Sequence, residues 1–225
     1  MRIAVIGAGI VGVTTAYELA ADGHEVAVFE RNGSVAAGAS FANAGIVAPG
    51  GVLPWDAGGK RRGAFWQLLG ADPSLRLASR ADLGSLIWAR RRQRAHGAWS
   101  ESAAQTALHR LAGFSQQRLH EITRLLRLDY ERADGLLVLL RTPDDLERAQ
   151  PMLARLAGTA IKHRVLDSAG CRAAEPDLND ETPPHAGIYF EDGEVGNCRQ
   201  FANLLRAAAQ RLGARFRYQI GRAHV

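Results

Sequence analysis

Three glycines near the N-terminus are the residues of this chain with the clearest chemical use. Gly7, Gly9 and Gly12 form the pattern GxGxxG, and an acidic residue, Glu30, follows one helix and one strand later. In such a motif the first glycine allows a tight turn, the second lets a pyrophosphate approach the backbone, and the third lets helix and strand pack closely. A carboxylate at Glu30 can bind a ribose diol. The pattern predicts a dinucleotide site.

Two short apolar runs and a helical pattern must position these residues. Residues 3–6 and 26–29 have the composition of buried parallel strands, and between them Ala16, Leu19 and Ala20 recur at helical spacing. Asp22 and Gly23 predict the end of this helix. Its N-terminus would direct amide groups at the phosphates. The βαβ order predicts an α/β fold of Rossmann type with a parallel sheet.

The segment after Glu30 bears on which dinucleotide binds. An acidic residue at this place is poorly compatible with a 2′-phosphate, which disfavours NADP. A plain NAD-binding fold would continue with a further helix and strand, whereas this chain enters an uncharged, glycine- and alanine-rich loop at residues 38–46. Small residues let the backbone lie against a flat ligand, and Ser40 and Asn43 offer polar contacts. The loop favours FAD over NAD, and its lack of charge predicts a buried path.

Several segments together resemble a known family. The chain is similar to the flavoprotein D-amino acid dehydrogenases in five places. These are the N-terminus, the loop from Ser40 to Gly45, residues 48–50 followed by Pro54 and Trp55, residues 187–190 and residues 194–198. These belong to the D-amino acid oxidase-like group, together with glycine and sarcosine oxidases. The resemblance extends from residue 1 to about residue 219. The family more usually has Asp where this chain has Asn197.

The resemblance implies a cofactor, a reaction and a set of contact residues. The cofactor would be FAD, and the reaction the oxidative deamination of a D-amino acid to a 2-oxo acid and ammonia, by hydride transfer from Cα to the flavin. A respiratory-chain component would accept the electrons. The residues expected to contact FAD are Ile6, Gly7, Ala8, Gly9, Ile10, Val11, Gly12, Glu30, Arg31, Ser40, Asn43, Ala44, Gly45 and Ile46. No residue is predicted to be catalytic, because the family takes its substrate contacts mainly from its second half.

Two other classes of function stay open from the residues. One is another amine-oxidising flavoenzyme, of the glycine, sarcosine or proline type, or an NAD-dependent dehydrogenase. The other is a binder of nucleic acid through the arginine-rich stretch, which is disfavoured because that stretch lacks interleaved aromatic residues and a recognition helix.

The resemblance also implies a division of the chain. We expect residues 1–58 to begin a FAD-binding domain, residues 59–184 to be an inserted α+β segment of a substrate domain, and residues 185–219 to return to the FAD-binding domain. Family members are much longer, so we expect a truncated fold and an inactive fragment. The codons that can encode residues 220–225 resemble a common sequencing adapter, and we expect this tail to be non-native.

Composition excludes several classes of protein. The 225 residues are 47% hydrophobic and 23% charged, which excludes a disordered chain, collagen and a coiled coil. Two cysteines without metal-ligand spacing predict no metal site and a reducing, cytoplasmic setting. Neither residues 3–17 nor residues 33–55 have the pattern of a membrane-spanning helix.

The formal net charge is +5, and the basic residues are concentrated between Lys60 and Arg132. Within this stretch Arg90, Arg91, Arg92 and Arg94 follow the apolar residues 86–88. An apolar run followed by basic residues is compatible with peripheral contact with the inner face of the plasma membrane. The alternative, which the pattern favours, is a solvent-exposed arginine face.

The remaining pattern predicts further elements. Residues 135–141 have the composition of a strand, Thr142 and Pro143 that of a helix start, and Asn197 that of a helix cap. We expect a last strand at residues 214–220. Apolar residues at core spacing occur in two predicted helices, at Leu108, Leu111, Leu119, Ile122 and Leu126, and at Phe201, Leu204, Leu205, Ala208 and Leu212.

Overall fold

A computed structural model describes residues 1–49, 84, 87–88, 90–91, 103–157, 159 and 161–221. In chain order the elements are β1 (Arg2–Ile6), α1 (Ile10–Ala21), β2 (Glu25–Phe29), β3 (Ile46–Val47), α2 (Ala103–Leu126), β4 (Ala133–Leu140), α3 (Pro143–Leu156), β5 (His163–Asp167), α4 (Ser168–Ala174), β6 (Ala186–Val195), α5 (Cys198–Arg211) and β7 (Arg215–Arg217). Three parts of the sequence predictions lie outside the described residues. They are the resemblance at Gly50, Pro54 and Trp55, the basic residues Arg92 and Arg94, and the tail at residues 222–225.

The chain divides into two compact units. The first contains Met1–Ala48, Ser115–Leu136 and Glu191–Val225, and the second contains Pro49–Phe114 and Leu137–Phe190. The second half of α2 therefore lies in the first unit, although the sequence predicts an uninterrupted insertion at residues 59–184. The predicted domain boundaries of the whole fold stay a prediction.

The first unit is built on a parallel sheet in the order β1-β2-β7. Ile6 of β1 lies opposite Phe29 of β2, and Phe29 lies opposite Arg217 of β7. The helices α1 and α5 precede β2 and β7 and pack against each other. Residues of both helices and of β2 form the core, and Val13, Ala16, Val26, Val28 and Leu205 are fully buried. This is the α/β arrangement with a parallel sheet that the βαβ pattern predicts. The predicted burial of β1 is wrong, since Ala4 and Ile6 are exposed, and β1 lies at the edge of the described sheet.

Turn and cap residues set the ends of the helices. α1 ends at the cap residue Asp22, and Gly23 follows with a φ of +80°, which glycine adopts without steric cost. The side chain of Asn197 accepts a hydrogen bond from the Gln200 amide at 3.0 Å and caps α5. Both predictions are confirmed.

Two predictions about helical faces and strand length need correction. Ile122 of α2 is buried, and Leu119 and Leu126 pack against the core of the first unit, but Leu111 is 58% exposed. Leu111 lies in the part of α2 that belongs to the second unit. β7 covers only three of the seven residues predicted for it, because the chain bends after Arg217, and Gln219 has a φ of +58°.

In the second unit, β5 pairs antiparallel with the first half of β6, with Asp167 opposite Ala186. The strand predicted at residues 135–141 is present as β4, and it pairs with β6. The predicted helix start is confirmed in detail. Thr142 caps α3 and forms a reciprocal capping box with Asp145.

Candidate functional site

The glycine turn between β1 and α1 is tightly packed. Gly7 has a φ of +96°, and its amide donates a hydrogen bond to the carbonyl of Phe29 at 2.8 Å. A Cβ atom placed on Gly12 would lie 2.0 Å from the carbonyl oxygen of Gly7. Any side chain at Gly12 would therefore force α1 away from the turn, as the motif predicts.

The carboxylate of Glu30 is held against this turn. Glu30 is only 7% exposed, and its Oε2 accepts a hydrogen bond from the Ala8 amide at 2.7 Å. Its Oε1 accepts bonds from the backbone amide of Asn32 at 2.8 Å and from Asn32 Nδ2 at 2.7 Å. Burial raises the pKa of Glu30, but the hydrogen bonds from Ala8 and Asn32 outweigh burial and, with the nearby Arg31, hold the pKa below its ordinary value of 4.5.

Glu30 keeps capacity for one further donor. A carboxylate oxygen accepts about two hydrogen bonds. Oε1 already accepts two and Oε2 one. Among the described residues nothing else bonds Oε2, so its second lone pair is available to a hydroxyl such as that of a ribose. Glu30 follows the carboxyl end of β2, where nucleotides bind in folds of this type.

Ser40 lies at the N-terminus of α1. Its Oγ accepts a hydrogen bond from the amide of Ile10 at 3.0 Å, and the side chain is nearly buried. A Cβ atom on Gly9 would come within 3.3 Å of this oxygen. The first-turn amides of a helix lack partners within the helix, and together with the helix dipole they favour a phosphate. Gly9 and Ser40 leave a narrow cradle there.

The loop after Ser40 is held by β6. Asn43 Oδ1 accepts a hydrogen bond from the amide of Gly45 at 3.0 Å. Gly45 has a φ of +64°, and a Cβ atom there would lie 2.0 Å from the carbonyl oxygen of Gly196. The next residue, Ile46, begins β3 and lies opposite Val195 of β6.

The predicted buried path of this loop is wrong for most of its residues. Ser40 is buried, but Phe41 is 51% exposed, Ile46 is 52% exposed, and Ala44 is also exposed. The small residues bring backbone against backbone, as at Gly45 and Gly196, and leave the side chains outside.

The structure thus brings most of the predicted contact residues into two neighbouring groups in the first unit. The residues from Ile6 to Gly12, with Glu30 and Ser40, surround the glycine turn, and Asn43, Ala44, Gly45 and Ile46 form the loop against β6. Two apolar side chains flank the turn in exposed positions, Ile6 at 79% and Val11 at 77%. Arg31 is exposed, and its charge favours the ionised form of Glu30.

Sequence reasoning missed two residues that shape the turn. Asn32 holds one oxygen of Glu30, and Ala36 donates its amide to the carbonyl of Ala8 at 2.9 Å. Ala36 is buried, with a φ of +53° that is uncommon for a residue with a side chain. An amide residue two positions after an acid can donate back to the carboxylate, so the spacing of Glu30 and Asn32 could have indicated this contact. Nothing in the sequence distinguishes Ala36.

A cavity of about 370 Å³ opens beside the loop. On one side the guanidinium of Arg199 lies 4.1 Å from the centre of the Phe41 ring. The cavity is lined by Phe41, Asn43, Glu131, Val195, Gly196, Asn197, Cys198 and Arg199.

The residues present fit a dinucleotide with an unmodified ribose. The cradle at Gly9 has no room for a Cβ without crowding Ser40, and the buried acid at Glu30 disfavours a phosphorylated ribose. Residues 2–221 match the family model described as FAD dependent oxidoreductase. The chain belongs to this family. The cofactor of the family is FAD, and the NAD alternative is thereby excluded.

Curated relatives cover nearly the whole chain. It is 36% identical over 220 residues to the D-amino acid dehydrogenase of Rhizobium johnstonii (strain DSM 114642 / LMG 32736 / 3841), covering 97% of this chain and 53% of the relative. It is also 36% identical over 226 residues to the D-amino acid dehydrogenase of Cereibacter sphaeroides (strain ATCC 17029 / ATH 2.4.9), covering 98% and 51%. The chain spans about half the length of the curated relatives it matches.

Solved structures of two oxidising enzymes share the fold. Glycine oxidase from Geobacillus kaustophilus aligns with a TM-score of 0.67 at 20% identity, over 97% of this chain and 47% of that protein. L-Proline dehydrogenase from P. horikoshii aligns with a TM-score of 0.61 at 16% identity, over 97% and 44%. At such identities the likeness establishes the fold alone.

The described residues contain no group of three or more His, Cys, Asp and Glu side chains that could hold a metal ion. In the same part of the chain no helix is both long and apolar enough to cross a membrane.

Proposed function

We propose that this chain forms the FAD-binding part of an enzyme that oxidatively deaminates D-amino acids to 2-oxo acids and ammonia. The observation that carries the cofactor half of the proposal is the buried Glu30 carboxylate, bonded to the Ala8 amide in the glycine turn with one lone pair to spare. The similarity to D-amino acid dehydrogenases, at 36% identity, supports the substrate class.

Each part of the site has a role in this proposal. The turn from Ile6 to Gly12 and the N-terminus of α1 hold the pyrophosphate, with Ser40 beside it. Glu30 binds the ribose diol, and Arg31 adds positive charge next to it. The residues from Asn43 to Ile46 border the ring system. When bound, FAD supplies hydride acceptance from the substrate Cα, and the resulting imino acid hydrolyses in water.

Cofactor selection is tested on the chain itself. We expect FAD fluorescence to be quenched and its visible band to gain fine structure when the chain is added, and we expect NAD and NADP to leave both signals unchanged in competition. Full displacement of FAD by NAD would contradict the proposal.

Substrate class is tested on the native protein that carries this chain. We expect reduction of an artificial dye with D-alanine and not with L-alanine. A protein that uses glycine, sarcosine or L-proline in preference to D-alanine would instead be an amine oxidase or dehydrogenase of another type.

The proposal includes a respiratory-chain electron acceptor and peripheral contact with the cytoplasmic membrane surface. Support for the contact comes from Ile87 and Trp88, which are 47% and 55% exposed, and from the exposed Arg90 and Arg91 close behind them in sequence. Apolar side chains can enter the headgroup region while arginines attract anionic lipids.

A further inference from the structure

A buried acid outside the glycine turn, Glu194, joins the end of β6 to α2, and β6 supports the loop of residues 41–47. Glu194 of β6 is 2% exposed, and an isolated carboxylate is costly to bury. Its Oε2 lies 2.9 Å from Nε of Arg132, and Nε2 of His120 lies 2.9 and 3.0 Å from its two oxygens.

The partners of Glu194 come from elements distant in sequence. His120 belongs to α2, and Arg132 lies between α2 and β4. Gln116, one turn before His120, donates a hydrogen bond to the carbonyl of Asp192 at 2.6 Å. These contacts attach the end of β6 to α2 within the first unit.

The end of β6 in turn supports the loop that borders the proposed ring site. Glu194 lies opposite Val47 in the β3–β6 ladder, and the amide of Gly196 donates to the carbonyl of Gly45 at 3.0 Å. Gly45 and Gly196 are in backbone contact, so a displacement of β6 must displace the loop. A continuous series of contacts runs from His120 and Arg132 through Glu194 to Gly45.

We propose that Glu194 is a positioning residue, which with His120 and Arg132 fixes the loop of residues 41–47 in the conformation that receives the flavin. This inference deepens the proposed function, and the part of it that concerns the flavin rests on that proposed function. Phe41, Ala44 and Ile46 of this loop are exposed, so the backbone contacts of residues 45–47 with residues 194–196 carry much of its attachment to the first unit.

Glu194→Gln tests the inference, and Glu18→Gln is its matched control. Glu18 binds Arg118 of α2 through two contacts of 2.7 and 2.8 Å, so each substitution removes one charged anchor of α2. Only the first touches β6. Hydrogen exchange of the flavin-free chain is followed by mass spectrometry for peptides within residues 41–47, and FAD affinity is measured by fluorescence titration.

We expect Glu194→Gln to speed exchange in residues 41–47 by about tenfold and to weaken FAD binding by about tenfold. Glu18→Gln should change neither, even where both variants lower the melting temperature. Unchanged exchange in Glu194→Gln, or equal acceleration in both variants, would overturn the inference.

His120 supplies a second pair of variants for the case in which Glu194→Gln does not fold. His120 is about one-third exposed, and His120→Leu removes the donor while His120→Gln retains an N–H at similar reach. We expect faster exchange in the first and recovery in the second. Because exchange is measured without flavin, failure of the wild-type chain to bind FAD would reject the proposed function and leave this result standing.

Discussion

At the scale of single residues, Ala8 joins the parts of the proposed nucleotide site. Its amide donates to Glu30, its carbonyl accepts from Ala36, and its side chain is fully buried. Glu30 therefore holds the turn in place, and we propose a second role in which its remaining lone pair binds the ribose.

The role of Glu30 in holding the turn can be tested by the pH dependence of the unfolding free energy of Glu30→Gln. The pKa of Glu30 in the folded chain lies below the ordinary 4.5, so ionised Glu30 favours folding above that pH, and this contribution is lost as the pH falls through the folded pKa. We expect the variant to lose about 1 kcal/mol of unfolding free energy at pH 7 and a smaller amount in acid, by urea unfolding.

Glu25→Gln, at the exposed start of β2, is the control for this experiment. It should change the unfolding free energy little at either pH. A deficit of Glu30→Gln that grows in acid would contradict the assignment of the shift.

Gly12→Ala should show whether glycine is needed at this position for close packing or for backbone flexibility. The new Cβ would meet the carbonyl of Gly7, a backbone atom that cannot turn aside. We expect a loss of about 2 kcal/mol in unfolding free energy and of FAD binding, measured by urea unfolding and fluorescence titration. Gly33→Ala, where no heavy atom lies within 4 Å, should stay within about 0.5 kcal/mol of wild type. Equal effects at both positions would argue against a packing role for Gly12.

At the scale of elements, the start of α5 accounts for a departure from the family pattern. Asn197 caps the helix through Oδ1, while its Nδ2 donates to Glu131 Oε2 at 2.9 Å. An aspartate would keep the cap but would place a second carboxylate against Glu131. An amide satisfies both neighbours at once.

Asn197→Asp should therefore be destabilising only where Glu131 is present. We expect a loss on the order of 0.5 kcal/mol at pH 7. In a Glu131→Gln background the same change should be neutral or stabilising, since a negative charge is favoured at a helix N-terminus. Thermal unfolding of the four chains of this double-mutant cycle measures the difference. The same loss in both backgrounds would rule out repulsion from Glu131 as its cause.

At the scale of the whole molecule, the net charge of +5 is consistent with attraction to anionic surfaces. The lipid contact proposed at residues 87–91 adds apolar side chains to this attraction. We expect the chain to cosediment with phosphatidylcholine vesicles containing phosphatidylglycerol and to be released by salt.

Replacing Arg90 and Arg91 with Gln should weaken that binding by about 1 kcal/mol per arginine. Replacing the exposed Arg2 and Arg148 makes the same change in net charge at other places and should weaken it less. Equal losses in the two double variants would show that only net charge matters.

Much of the fold and of the glycine site was predictable from sequence because the information is local. The βαβ order, the end of α1 at Asp22, the caps at Thr142 and Asn197 and the place of Glu30 follow from hydrophobic period, turn residues and short spacings. Each depends on neighbours within one or two elements. The same local signals wrongly predicted a longer β7, a buried apolar face along α2 and a buried loop, because burial depends on what packs against a segment.

Sequence alone therefore determined the class of fold, and it identified the glycine motif and the acid that we propose bind the nucleotide. Tertiary structure decided which atoms meet. Three contacts join segments whose separation in sequence carries no periodic signal. They are the bond from Ala8 to Glu30, the contact of Gly45 with Gly196, and the pairing of Glu194 with His120, 74 residues away. Such pairs are set by the path of the whole chain and by the cost of burying unpaired polar groups, which no local pattern of residues contains.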